Sequence, residues 1–300
     1  MKTGVFLIVL LAWGTTHAQS PDWADSLQHH LEHKGYFYTK NWSKSQVSAV
    51  QNQLKPLFTP IAIAHMNDGV SLRQQTDRVD GSQTWSETQL GLTLKGKKHT
   101  AVFSGYRASR FGQNSHQFDW DHYWVAHPKF YFNLNASVSD AVLFPAWKGA
   151  ATWSYTGFEK KEIALAYRYH AFPGNPVHMI GLSATWYVND LYAFVHYFNV
   201  RTTSGSSNAL LFRLRQYLHN QRGYFMLNGA FGAEVDRSRI SGQLLTSNRI
   251  GGGFHYRLSP LFSAEVVLAA EKQALSEDLS RNLLSTNFSV TYHFQRTKRK

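Results

Sequence analysis

The feature that most constrains this chain is an alternation of apolar and polar residues that runs from about residue 69 to residue 294. It is clearest at 282–294, where residues of one parity are apolar and residues of the other are polar. The apolar set is Leu284, Phe288, Val290, Tyr292 and Phe294, and the polar set is Asn287, Ser289, Thr291 and His293. A period of two over this length predicts a strand with one apolar face and one wetted face.

The same alternation predicts about fourteen strands of roughly ten residues each. The connections between them alternate between longer ones, such as Arg110–Ser115 and Ser139–Ala146, and tight ones, such as His127-Pro128 and Asn189-Asp190. Transmembrane barrels show this parity, whereas a soluble β-sandwich has shorter strands and no such parity. We therefore expect an all-β fold, a transmembrane antiparallel up-and-down β-barrel whose last strand pairs with its first, because lipid does not tolerate an open sheet edge.

The chain divides into four predicted parts. Residues 1–18 are expected to be a cleaved signal peptide, with Lys2, the apolar run Gly4–Trp13 and small residues around Ala18. Residues 19–66 form an N-terminal extension that would lie in the periplasm or plug the lumen, and apolar spacing within 21–60 predicts short helices there. Residues 67–294 are the predicted outer-membrane barrel, and 295–300 are a basic tail.

Composition narrows the environment and the partners. Aromatic residues make up 15% of the chain and charged residues only 17%, and there is no cysteine, so disulfides and thiolate metal sites are excluded. The net charge of +12 is scattered apart from the tail, and an exported chain rarely meets nucleic acid, so no nucleic-acid partner is expected. The expected partners are outer-membrane lipids and lipopolysaccharide, and the barrel assembly machinery that inserts such chains.

Three short motifs carry a resemblance to a known family. They are Arg110-Phe111-Gly112 at the end of an early strand, Phe144-Pro145-Ala146-Trp147 in a loop and Tyr167-Arg168-Tyr169 in a later strand. In this combination the chain resembles the YaiO family of outer-membrane β-barrels, over about residues 70–294. The resemblance implies a barrel located in the bacterial outer membrane, and it implies no established activity.

The polar parity places charged residues inside the predicted barrel. Arg213 and Arg215 lie two residues apart and so share a face, and Glu234 lies on the next strand. Two readings remain open: a channel contact for a sugar acid or phosphate, or a structural network that cross-links the interior. The full candidate network is Arg213, Arg215, Glu234, Arg168, Glu162, Asp119 and Asp121.

No residue pattern indicates a catalytic site, a cofactor site or a metal site. Asp119 and Asp121 share a face, but the chain carries neither a nucleophile-elbow motif nor HExxH. His29, His30 and His33 are read as a solvated helical cluster rather than a metal site. The expected function is therefore a narrow conduit, or an export or assembly partner, for small polar or glycan solutes. The alternatives are a closed structural or surface-binding barrel and, behind it, an outer-membrane hydrolase.

Overall fold

The computed structural model describes residues 68–80, 84–203, 205–218, 222–235, 244–274 and 280–294. The predicted signal peptide (1–18), extension (19–66) and basic tail (295–300) lie outside these ranges. Within them, no helix is long and apolar enough to cross a bilayer.

The described chain folds into fourteen antiparallel strands that follow one another around a closed barrel. The strands are β1 (Gly69–Val79), β2 (Trp85–Lys95), β3 (His99–Arg110), β4 (Gln113–His127), β5 (Phe130–Ser139), β6 (Trp147–Phe158), β7 (Lys161–Ala171), β8 (Val177–Val188), β9 (Leu191–Thr202), β10 (Gly205–Tyr217), β11 (Gly223–Val235), β12 (Leu244–Arg257), β13 (Phe262–Ala274) and β14 (Ser280–His293). The predicted strand count and fold class are confirmed.

The barrel closes where β1 pairs with β14. Their antiparallel register runs without a break from Gly69 opposite His293 to Val79 opposite Leu283. Every strand therefore has two hydrogen-bonded neighbours, and the sheet has no free edge. This arrangement satisfies the backbone groups that lipid cannot.

The two ends of the barrel differ in their connections. We call the end where β1 begins and β14 finishes the terminus end, and the opposite end the loop end. The terminus end has tight turns such as Asn189-Asp190, where Asn189 adopts a φ of 52°. The predicted long connection Arg110–Ser115 was wrong: β3 and β4 are joined by a two-residue turn, Phe111-Gly112, with φ angles of 53° and 74°. Positive φ at both central positions characterises the tight hairpin turns that match strand twist.

Side chains alternate between an outer apolar face and a polar lumen. In β14, Phe288 is 49% exposed on the outside, whereas the adjacent Asn287 is 6% exposed on the inside. The same pattern holds in β8, where Leu182 is 61% exposed and Ser183 is buried. The two predicted faces of 282–294 are therefore confirmed.

Aromatic side chains concentrate on the outer face near both rims. Those toward the terminus end include Trp124, Trp153, Trp186, Phe254 and Tyr292, and those toward the loop end include Trp147, Tyr167 and Tyr197. Amphipathic rings at these two levels form the girdles expected at the membrane interfaces.

The interior is held largely by polar contacts. Ser115, Ser154, Ser285 and Gln273 are among the most completely buried side chains, and they occupy lumenal positions. Small apolar clusters interrupt this lining, one of them formed by Val79, Trp85 and Leu283. The lumen is thus partly filled by its own side chains.

Candidate functional site: the charged lumen

The strand parity directs six of the candidate residues into the lumen. They occupy positions that alternate with exposed outer residues on the same strands: Asp119, Asp121, Glu162, Arg168, Arg213 and Arg215. The acidic members belong to β4 and β7, and two of the three arginines belong to β10. The lumen therefore carries side chains of both charges on its wall.

The carboxylates of Asp119 and Asp121 are already engaged by donors on β4 itself, on the neighbouring β5 and on β6. Asp119 Oδ1 accepts a hydrogen bond from Gln117 at 2.5 Å, and its Oδ2 lies 3.6 Å from Lys148 Nζ. Asn135 donates to Asp121 at 3.0 Å. Buried carboxylates that are hydrogen-bonded in this way hold adjacent strands together rather than offering free charge to a solute.

Glu162 is satisfied by a tyrosine rather than by an arginine. Tyr131 Oη donates to Glu162 Oε1 at 2.6 Å, and both residues are buried. This contact joins β5 to β7 across β6 through the lumen. No basic side chain of the described residues lies within ion-pair distance of Glu162.

The arginines lie against aromatic rings. The Arg168 guanidinium is 4.8 Å from the centre of the Phe198 ring, and that of Arg215 lies 5.3 Å from Tyr192 and 4.7 Å from Tyr224. When a guanidinium stacks on an aromatic ring, its N–H groups still point outward in its plane and can donate hydrogen bonds to an anion.

Arg213 stands apart from the other two. Its side chain is exposed to the lumen, and it makes no hydrogen bond or ion pair with any residue in the described ranges. The exposed Leu214 beside it faces outward, which fixes the inward direction of Arg213.

The predicted network between Arg213, Arg215 and Glu234 is wrong in its register. Arg213 pairs with Asn228 across β10 and β11, and Arg215 pairs with Met226. Glu234 lies six residues beyond Asn228 on β11, where it pairs with Leu245 on β12. Six residues of strand span about 20 Å, which is too far for a direct ion pair.

A second cluster, which the sequence reasoning missed, closes part of the loop end. Trp85 is fully buried, with the guanidinium of Arg281 at 5.1 Å and that of Arg110 at 5.7 Å from its ring. Phe111 packs edge-on to the same ring at 5.2 Å, and Arg110 lies 3.4 Å from Glu87. We call Trp85, Arg110 and Arg281 the tryptophan clamp. The sequence does contain a signal for this cluster, because Trp85 and Arg110 both occupy positions that the alternation assigns to the lumenal face of their strands.

The β5–β6 loop folds inward over the same end. Phe144 approaches lumenal Tyr106, with ring centres 6.5 Å apart, and Leu143 is 8% exposed. Asp140 anchors the loop because the Ser115 hydroxyl and the backbone N–H groups of His116 and Val142 donate to its carboxylate. Burial opposes ionisation of Asp140, but these donors outweigh it and hold its pKa below the ordinary value.

The three motifs that carried the family resemblance thus have structural roles. Arg110-Phe111-Gly112 forms the β3–β4 turn and contributes to the tryptophan clamp. Phe144-Pro145-Ala146-Trp147 forms the inward loop and the start of β6, and Arg168 is the lumenal member of Tyr167-Arg168-Tyr169. Among the described residues, no group of three His, Asp or Glu side chains is placed to hold a metal ion.

Comparison with solved structures finds barrels of similar shape. The "CymD monoaromatic hydrocarbon channel" matches with a TM-score of 0.52 and 10% identity, covering 81% of this chain and 93% of that chain. A "bacterial polysaccharide outer membrane secretin" matches with a TM-score of 0.51 and 10% identity, covering 77% of this chain and 100% of that chain. At this identity the likeness shows the fold alone.

No curated protein matches the sequence. The family of the "YaiO membrane beta barrel domain" matches residues 67–237, more than half of the chain. With the closed fourteen-stranded barrel and the roles of the three motifs, this match establishes that the chain belongs to the YaiO family of outer-membrane β-barrels.

Proposed function

We propose that this barrel is a narrow conduit for small polar or glycan solutes. The observation that carries the proposal is the exposure of Arg213 inside the lumen, where no described side chain forms an ion pair or a hydrogen bond with it. A charge in that position is stable only if water or a mobile ion reaches it. Eight-stranded barrels are filled by side chains and barrels of 16–18 strands hold an open channel, so fourteen strands suit a restricted passage.

The polar lining supports the same proposal. The lumenal serines and glutamines of β1, β4 and β13 make the wall polar, which suits the passage of hydroxyl-rich solutes. In this proposal the terminus end faces the periplasm, and the tryptophan clamp lies toward the outer surface.

A closed barrel is the second candidate, because the tryptophan clamp and the β5–β6 loop narrow the loop end. Trp85 is 0% exposed, and Phe144 lies across Tyr106 at the same end. If these contacts seal the lumen, the protein is a structural barrel whose interior is wet only from the terminus end.

Planar-bilayer recording on protein purified from outer membranes separates the two. The conduit proposal expects discrete conductance steps from the wild type and larger steps from Trp85→Ala, which removes the centre of the clamp. Trp153→Ala, on the outer face, is the matched control and should conduct like the wild type. A wild type and a Trp85→Ala variant that are both folded and both silent would overturn the conduit proposal in favour of the closed barrel.

A further inference from the structure

Resting on the conduit proposal, we propose that the solute is an anionic saccharide, and that it binds at a site centred on Arg213. Three lumenal residues lie side by side on adjacent strands: Phe194 on β9, Arg213 on β10 and Asn228 on β11. We call them the arginine row. It offers a ring, a guanidinium and an amide within three strands of one wall, in the terminus-end half of the barrel.

The guanidinium of Arg213 is the anion contact. It is exposed, and the carboxylate whose charge bears on it, Glu265, is engaged elsewhere. Glu265 Oε2 accepts a hydrogen bond from Tyr224 at 3.0 Å and lies 3.8 Å from His255 Nδ1. The planar fork of Arg213 therefore remains free for a carboxylate or a phosphate, which arginine binds through two parallel hydrogen bonds.

Arg215 strengthens the site without occupying it. Its guanidinium is held between Tyr192 and Tyr224, at 5.3 Å and 4.7 Å from their ring centres. It projects to the same side as Arg213 from two residues away, so the two positive charges repel each other. A bound anion relieves that repulsion, which favours anions over cations and neutral solutes.

The neighbours of Arg213 suit a sugar body. Phe194 is only partly buried, so its ring offers apolar surface in the lumen for the C–H groups of a pyranose. The Asn228 amide donates to Met226 Sδ at 3.8 Å, a weak acceptor that a sugar hydroxyl would readily replace. An apolar platform, a charged group and a few convergent polar groups are the usual composition of a small-molecule site.

Isothermal titration calorimetry on the full chain in detergent tests the site without requiring conduction. The ligands are digalacturonate, glucose 6-phosphate, maltose and inorganic phosphate. We expect the two anionic saccharides to bind, and maltose to bind at least about tenfold more weakly, because it lacks the charge-assisted hydrogen bonds. Binding of digalacturonate alone or of glucose 6-phosphate alone supports the site and identifies the anionic group.

Three variants locate the site. Arg213→Gln should weaken binding of both anionic saccharides by about tenfold or more. Arg73→Gln is the matched control, because it removes another exposed lumenal arginine, on β1, and should leave binding unchanged. Phe194→Leu should weaken the saccharides while leaving inorganic phosphate unaffected.

Two results would overturn the inference: maltose binding as tightly as digalacturonate, or equal binding by the wild type and Arg213→Gln. Failure of the conduit proposal can be told apart from failure of the binding site. If only the conduit proposal fails, the barrel binds the saccharide but does not conduct. Conduction without any saccharide binding would remove the site and leave the conduit.

Discussion

The outward direction of β14 can be tested by placing a carboxylate on each of its faces. Phe288 is 49% exposed on the outer face, where its ring would contact lipid. Phe288→Asp removes apolar surface, whose transfer is worth about 1.5–3 kcal/mol for a full side chain. It also places a carboxylate in the apolar band, at a cost below the ~2–4 kcal/mol measured for lysine or arginine at the midplane. Together we expect a loss of about 3–5 kcal/mol in the free energy of unfolding.

Thr291→Asp is the matched control on the lumenal face of the same strand. Thr291 is partly buried, and its register partners are Ser71 and Ser263, so a new carboxylate meets no acidic partner opposite it. Its cost should stay within about 1 kcal/mol. Urea unfolding in lipid vesicles, followed by the heat-modifiable gel shift of the folded barrel, measures both variants. Equal losses for Phe288→Asp and Thr291→Asp would refute the assigned faces of the closing strand.

Two further predictions concern the loop end and the packing of the lumenal wall. Because the folded pKa of Asp140 is lowered, its contribution to loop stability is complete above the ordinary pKa of about 4 and is lost as the pH falls below it. Limited proteolysis of the β5–β6 loop should thus rise below about pH 4, and Asp140→Asn should remove that pH dependence; an unchanged pH profile would contradict the anchor. A Cβ at Gly181 would lie 2.3 Å from His196 Nε2 and 2.6 Å from the Phe198 ring, so Gly181→Ala should lower the free energy of unfolding by about 1–3 kcal/mol. Ser183→Ala, on the same face of β8, is its control, and equal urea midpoints for the two variants would argue against this close contact.

Period-two alternation was sufficient to predict the number of strands and the two faces of 282–294, but the segment 191–201 is apolar on both faces and its orientation could not be predicted. The alternation predicts strands over 177–188 and 191–202, and β8 and β9 have these bounds. Lipid favours apolar side chains on the outer face and water favours polar side chains in the lumen, so neighbouring residues differ in polarity. This alternation can therefore be recognised in a single sequence. The alternation does not show where a strand ends: Phe111 enters the β3–β4 turn with a positive φ, which is uncommon for a phenylalanine.

The candidate site was predicted only in part, because register is not visible in local sequence. Placing Glu234 on the strand after Arg213 was correct, but its position along that strand depends on how the whole barrel is staggered. The tryptophan clamp was not predicted for a related reason. The burial of Trp85 between two arginines follows from contacts among β2, β3 and β14, which local sequence does not show.

Along each strand, side chains that face a water-filled lumen alternate with side chains that face lipid. Thiol accessibility tests this arrangement most directly. The chain has no cysteine, so single-cysteine variants report one position each. The four positions are lumenal Arg213 and Asn228, and outer Leu214 and Leu227, which are 37% and 39% exposed. With the barrel in lipid vesicles, a charged, membrane-impermeant thiol reagent should modify Arg213→Cys and Asn228→Cys at least about tenfold faster, since thiolates form and react in water. Equal rates at all four positions, or faster modification of Leu214→Cys and Leu227→Cys, would contradict the account.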